Sequence, residues 1–570
     1  MSKIKPEKAY AKYSVSSFGG IREGISTKTP GASSIRNFRL RSDGSLEKRS
    51  GWKHWKQLPA TVRGFWEGTL NGEYYAFAVC GNKVYQIQDT EIIALNDTLI
   101  TETGNVTFVR YRNRLYLMDH VIIRLFSPES QSFLPAKGYV PLYGHNWHPT
   151  QMGDINEPLN LLTPSIRIHY LNTTGSKTFS LPFFASSIDA VHVNNRATSS
   201  YSFTAGSDTL TLNSASAGDV VEIAMTISGS NDLRRQIHCS TDFYLDRNGV
   251  EEHLLLYGAP EGYRIFVSSE VSDISLTYCS LFYSDCDPLY FQKSKLLLIG
   301  DEDHPVTAIT GNFDRLLAFT TNKTYSVGID GDKLYFYPLL SDFGCRAKNA
   351  AVQIGNDTVV LNEQGVCRLH STASDPDALS AVNLSEEIGT SLIRSLSEHT
   401  FLFWDSAKQE LWVRDMAEAT EGIVWIWSAR TEEWYCFDGV YASLLFSHGG
   451  QVLFANQNRL CLFDDTVTTD GGASFSAYYQ SNYLSFDAPH ASKRALRATV
   501  CASTGGSELQ ISVSTERKIQ SIVFQGRVSR APEVFDLRLA PGRFRFLSYR
   551  IACTGATPSK IYEAKFFTNL

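Results

Sequence analysis

Short apolar runs rich in Val, Ile, Leu, Tyr and Phe alternate with Gly, Asn and Asp turns along most of the chain. That alternation is the mark of strands joined by tight turns and predicts an all-β protein. Stretches that favour helix, such as 385–397 and 414–421, are short. One hairpin pattern recurs: a strand, a polar turn, then a second strand. It is seen at Glu73-Tyr-Tyr-Ala-Phe-Ala-Val79 with Asn82-Lys-Val-Tyr85, and at Arg315-Leu-Leu-Ala-Phe319 with Asn322-Lys-Thr-Tyr325. Further copies are Asp357-Thr-Val-Val-Leu361 with Gln364-Gly-Val-Cys367, and Gln451-Val-Leu-Phe-Ala455 with Asn458-Arg-Leu-Cys461. Less complete copies stand at Arg114 and Glu410.

Equivalent positions are Tyr74, Leu115, Leu316, Val359, Leu411 and Val452, separated by 41, a long gap, then 43, 52 and 41 residues. Antiparallel hairpins at this period predict a β-propeller of six to eight degenerate blades, each covering its neighbours' apolar faces. Stacked β-sandwiches are the competing architecture. Within the long gap, residues 166–229 read as a small inserted β domain, and His253–Tyr257 with Arg264–Val267 as a further blade hairpin. The period ends near Gly471, and 471–570 read as a C-terminal β-sandwich. The expected order is an extended basic arm (1–60), propeller (61–165), insertion (166–229), propeller (230–470) and sandwich (471–570).

Charge sharpens this division. The net charge is −6, but residues 1–63 carry about +10, residues 471–570 about +7, and the middle about −23. Two basic ends flanking an acidic body suggest docking on acidic neighbours, possibly copies of the same chain. The acidic body disfavours stable nucleic-acid binding. No apolar run reaches the ~20 residues of a membrane-spanning helix, and the lysine-rich start lacks the apolar core of a secretory signal. Ten cysteines without a CxxC pair read as buried free thiols of a reducing compartment.

Candidate chemistry is thin. Asp246-Arg-Asn-Gly-Val-Glu251 lacks calcium-loop spacing and reads as a turn. Asp301-Glu-Asp-His304 reads as a solvated loop, and His145, His148 and His169 lack the carboxylate pattern of a metal site. Trp425, Trp427 and Trp434 read as blade core. No catalytic set, metal site or cofactor is expected.

The most specific segment is the start: Phe18-Gly-Gly-Ile-Arg22, Thr29-Pro-Gly-Ala-Ser33, Arg36-Asn-Phe38, Asp43-Gly-Ser-Leu-Glu-Lys-Arg49 and Gly51-Trp52. This opening resembles the start of tail hub, or nozzle, proteins of short-tailed bacteriophages. The resemblance implies a non-enzymatic virion protein, assembled in the host cytoplasm into the tail as a ring of typically six copies. Such a ring sits below the portal and adaptor, extends the DNA channel, helps retain the genome and docks fibres, spikes or a plug. Contact with passing DNA is then transient and non-specific. In that setting Arg36, Arg39, Arg41, Lys48 and Arg49 suit an extended strap across an adjoining subunit, with Phe38 and Trp52 as apolar anchors. The segment packing on its own chain is the plainer reading. The alternative function is a glycan-binding or glycan-cleaving propeller of the receptor-binding kind.

Overall fold

The computed structural model describes residues 11–569, apart from 16–17, 24–30, 100, 230–236, 238–241, 248–251, 259–261, 281–286, 314, 331–332, 349, 372–378, 487–488 and 540–541. Strands take up 56% of the chain and helices 3%, so the all-β expectation holds. Among the described residues no helix is long and apolar enough to cross a membrane. The chain forms two compact units, residues 63–344 and residues 1–62 with 345–570.

The first unit holds four four-stranded antiparallel meanders, spanning 62–98, 107–135, 242–298 and 306–341. Their packing follows from strand alternation. In His253–Tyr257, Leu254 and Leu256 join Tyr116, Ile123 and Phe266 against the preceding meander. Leu255 and Tyr257 point the other way, onto Leu316 and Ala318 of the following one. A strand buried on both faces needs a continuous apolar run rather than alternating polarity, which is how this segment reads. Likewise Leu115 and Leu117 face Phe77 and Phe126, whereas Tyr116 and Met118 face the opposite neighbour.

Between the second and third meanders lies the inserted domain. A six-stranded sheet is faced by three short strands, Thr178–Ser180, Tyr201–Phe203 and Thr209–Leu212, over a core including Ile168, Phe179, Leu210 and Ile223. It begins earlier than position 166. Leu142–His145 pairs in parallel with Ser165–Leu171, and Ile155–Asn156 folds back on it. A parallel partner reached through a long loop leaves no hairpin signal in the sequence.

A buried polar knot ties the insertion to the third meander. Arg167, 1% exposed, donates to Val140 O (3.1 Å) and to the Tyr139 hydroxyl (3.3 Å). The Glu157 carboxylate accepts from Tyr139 (2.5 Å), the Leu142 amide (2.7 Å) and the Ser275 hydroxyl (3.1 Å). Ser275 belongs to the helix Asp273–Ser280, which the sequence reading missed because it carries little amphipathic pattern. That helix also corrects the cysteine reading. Seven described cysteines are free, but Cys279 is disulfide-bonded. It sits in a small satellite core with Tyr139, Val140, Val271 and Tyr290, where little apolar area is available to hold the segment.

The second unit holds three more meanders. Two span 351–383 and 400–437; the third joins Leu444–His448, Gln451–Asn456 and Arg459–Phe463 to the N-terminal strand Trp52–Gln57. A C-terminal sandwich follows, but it is not built from 471–570 alone. Phe38–Leu40 and Leu46–Lys48 extend one sheet onto Lys560–Asn569. Ala32–Arg36 lies between Glu433–Phe437 and Phe475–Ser481, fusing a meander and the second sandwich sheet into nine strands.

Candidate functional site

Sequence pointed to the segment from Phe18 to Gln57; Thr29 and Pro30 of its motif lie outside the described residues, and the described part is laid across its own chain. Two motif glycines show why. A Cβ on Gly20 would lie 2.4 Å from Glu433 Oε2 and 2.9 Å from Trp434 N. One on Gly51 would lie 2.0 Å from Thr469 O. The chain thus passes flush against backbone at both points, and a side chain there would push the strap off its bed.

Between them Asn37 turns the corner with φ +58°, a conformation Asn tolerates better than most residues. Its Nδ2 donates to Asp438 Oδ1 (2.5 Å) and Ser476 O (2.8 Å). Its Oδ1 accepts from Arg49 Nε (2.9 Å) and the Asp438 amide (3.1 Å). Arg49 is fully buried, and all five of its N–H groups are used. Besides Asn37 they reach Asp470 through both carboxylate oxygens (2.8 and 2.6 Å), Ser50 O (3.0 Å) and Asp438 O (3.0 Å). Such complete pairing is what makes a buried guanidinium tolerable.

Arg39 forms a second buried fork, Nε to Glu410 Oε1 at 2.6 Å and Nη2 to Oε2 at 3.1 Å. The Tyr435 hydroxyl adds a bond of 2.9 Å to Oε1. Burial pulls the Arg39 guanidinium down, and Glu410 more than offsets it, so its net pKa is raised. Lys48 has no carboxylate partner: Nζ donates to Gly555 O and stands 4.1 Å over the Phe475 ring, as Arg49 does. Burial holds its amine down to about 8. Arg36 reaches Glu421 only loosely, at 3.9 Å, and Arg41 pairs with Glu47 at 3.2 Å in solvent. Phe38 is fully buried, and Trp52 packs edge-on to Phe454.

Arg39, Arg41, Lys48 and Arg49 share a cavity of about 460 Å³ with Lys408, Glu410 and Asp465. Its cations are engaged: Lys408 pairs with Asp465 at 2.7 Å, and the others as given above. The arrangement clamps strands together. Among the described residues no group of three His, Cys, Asp or Glu could hold a metal ion.

Sequence reasoning missed the acceptors Glu410, Asp438 and Asp470, and the cation Arg22, which bridges Glu387 (2.9 Å) and Glu433 (2.8 Å). Acceptors some 400 residues away carry no local signal. Elsewhere, Trp427 and Trp434 are buried and Trp425 is half-buried. Asp301 binds the His304 and Asp303 amides in a plain turn. His145 pairs with Asp154 (3.7 Å), whereas His169 is buried beside Glu222 (3.5 Å), so the histidines do not form one site. Asp246 lies in a strand, and 248–251 of the calcium-like run fall outside the described residues.

No known protein family and no curated protein matches the chain. Among solved structures it is similar to the WD40 domain of SCAP from fission yeast, at 8% identity and TM-score 0.30, over 72% of this chain and 96% of that one. It is also similar to an exo-β-1,3-galactanase from Phanerochaete chrysosporium (8%, TM-score 0.23, 91% and 100%). A family 29 carbohydrate-binding module overlaps at 15% identity and TM-score 0.13, over 22% and 70%.

Proposed function

We propose that the chain is a structural virion protein, the nozzle or hub of a short tail, whose seven meanders close into a propeller and whose copies assemble into a ring around the DNA channel. The opening motif suggests the family and, through it, six copies, an adaptor above and fibres, spikes or a plug alongside. The strap residues are spent inside the chain, so contacts between copies need another surface. The observation that carries the reading is the outermost strand of the fourth meander, Lys333–Ser341. Among the described residues it ends its sheet with one edge unpaired, and Tyr335, Phe336 and Tyr337 are exposed by 54%, 40% and 40%. A long aromatic free edge is an aggregation hazard in a solitary protein and a pairing surface in an assembly.

Its occupant is a second copy. The strand belongs to the acidic body, whereas the C-terminal sandwich is basic and ends its nine-stranded sheet on another free edge, Lys518–Arg527, beside Arg517 and Arg530. Unlike patches that pair head to tail generate rings when the rotation between copies closes and open filaments when it does not.

The test is negative-stain microscopy of the full chain over a concentration series, alone and with adaptor rings. Rings with a central channel are expected, and a variant with Tyr335, Phe336 and Tyr337 all changed to Ser is expected to stay as single particles. Single particles of the natural chain that the adaptor does not recruit would overturn the reading.

A further inference from the structure

The inserted domain carries a cleft of about 570 Å³, separate from the strap and unused by the reading above. That volume lies in the range of small-molecule sites, roughly 300–1,000 Å³. The cleft forms where the parallel strand Leu142–His145 meets Ser165–Leu171, a register that sets Tyr143 opposite Ile168 and His145 opposite Tyr170. Tyr143 is half-buried, its ring edge-on to Phe183 at 5.5 Å. The Tyr170 hydroxyl donates to Ser180 O, which fixes that ring as a wall.

Both rims are built before any ligand arrives. On one side Asp154 Oδ1 accepts the Asn146 amide at 2.7 Å, while no hydrogen bond reaches Oδ2 among the described residues. On the other, Asn172 closes its loop through Nδ2 to Ser176 O (2.9 Å) and Oδ1 from the Ser176 amide (3.1 Å). The Asn172 amide itself donates to Asp219 O at 2.9 Å. The Arg167–Glu157 knot then holds the whole domain rigidly on its meander.

The polar groups at the rim are amides, hydroxyls, one carboxylate and one imidazole; neither Lys nor Arg lines the cleft. The half-buried Tyr143 ring suits the apolar C–H face of a pyranose, Tyr170 and Phe179 behind it belonging to the domain's own core, and side chains that both donate and accept suit its hydroxyls. Beside Asp154 stands only His145 (3.7 Å) and no Lys or Arg lines the cleft, which with the Asp154 carboxylate disfavours phosphate, sulfate, uronate or sialate. We propose that this cleft binds a neutral saccharide, a hexose or short neutral oligosaccharide, making the insertion a carbohydrate-recognition head. The proposal is independent of ring formation, which microscopy reads separately.

The test uses the full chain on an array of neutral glucose-, mannose- and galactose-terminated oligosaccharides beside sialylated and sulfated ones. Titration calorimetry follows with the best neutral glycan. Asp154→Ala and Asn156→Ala change exposed rim residues and should leave the thermal unfolding profile unchanged. Each is expected to weaken binding, Asp154→Ala by about tenfold or more. Retention of no neutral glycan, retention of acidic glycans alone, or affinities untouched by both substitutions would each overturn the proposal.

Discussion

At the scale of single residues, Arg39 and Arg49 of the strap are the counterparts of Glu410 and Asp470, and this sets what removing either side does. Asp470→Ala strands the Arg49 guanidinium, none of which is exposed, with only carbonyl and amide acceptors. Breaking such a pair from one side costs about 3–5 kcal/mol. The unfolding midpoint of Asp470→Ala in urea should fall accordingly, and an unchanged midpoint would show that water replaces the carboxylate. His169 sets a pH dependence in the insertion. Burial, helped by Arg167, lowers its pKa from 6.5 to about 3. Between those values the unfolded chain binds a proton that the folded domain refuses, so stability rises with pH across this window and is lost on acidification. Glu222 acts in the opposite sense: burial raises its carboxyl, so its folded form takes up a proton first and offsets part of the loss. Thermal melts from about pH 7 to about pH 4 should show a falling midpoint for the natural chain and a shallower fall for His169→Gln.

At the scale of elements, the motif residues act through backbone approach. Gly51→Ala places a methyl on the Thr469 carbonyl and should detach Trp52–Gln57 from the meander it completes. Amide hydrogen exchange is the suitable readout: protection should be lost first in Arg459–Phe463, the strand that pairs with it. Protection kept there would mean that the neighbouring loop yields instead. The same scale shows what sequence reveals. Each equivalent position from Tyr74 to Val452 falls in the second strand of a meander, because a strand covered on both faces needs an unbroken apolar run next to a tight turn. The segment His253–Tyr257 supplied the remaining repeat by the same signal. Leu142–His145 and Ala32–Arg36 were not legible as sheet members, since their partners are parallel or roughly 400 residues distant and nothing local encodes the pairing. The strap residues were found by motif, but the carboxylates that define their role were not, for the same reason.

At the scale of the whole molecule, part of the charge asymmetry is neutralised internally. Among the described residues the arm's cations are matched within the chain by Glu387 and Glu433 on Arg22, Glu410 on Arg39, Asp470 on Arg49 and Asp464 on Lys53. Lys560 of the sandwich returns the favour to Asp43, whose carboxyl it and Ser45 hold well below the usual range. Cations held this way are not free to release counterions from a phosphate backbone, which is the main source of non-specific DNA affinity. The uncompensated remainder of the molecule is acidic. The chain should therefore show no retention of duplex DNA in fluorescence anisotropy at about 0.15 M salt, where the screening length is about 8 Å. That behaviour suits a wall past which a genome slides. Tight binding that weakens steeply with salt would instead place an exposed cationic track on the surface, and would count against a channel lining. If DNA is ignored, charge-neutralising substitutions of exposed acids become the next variable, since a lumen that repels phosphate should slow ejection once its acids are removed.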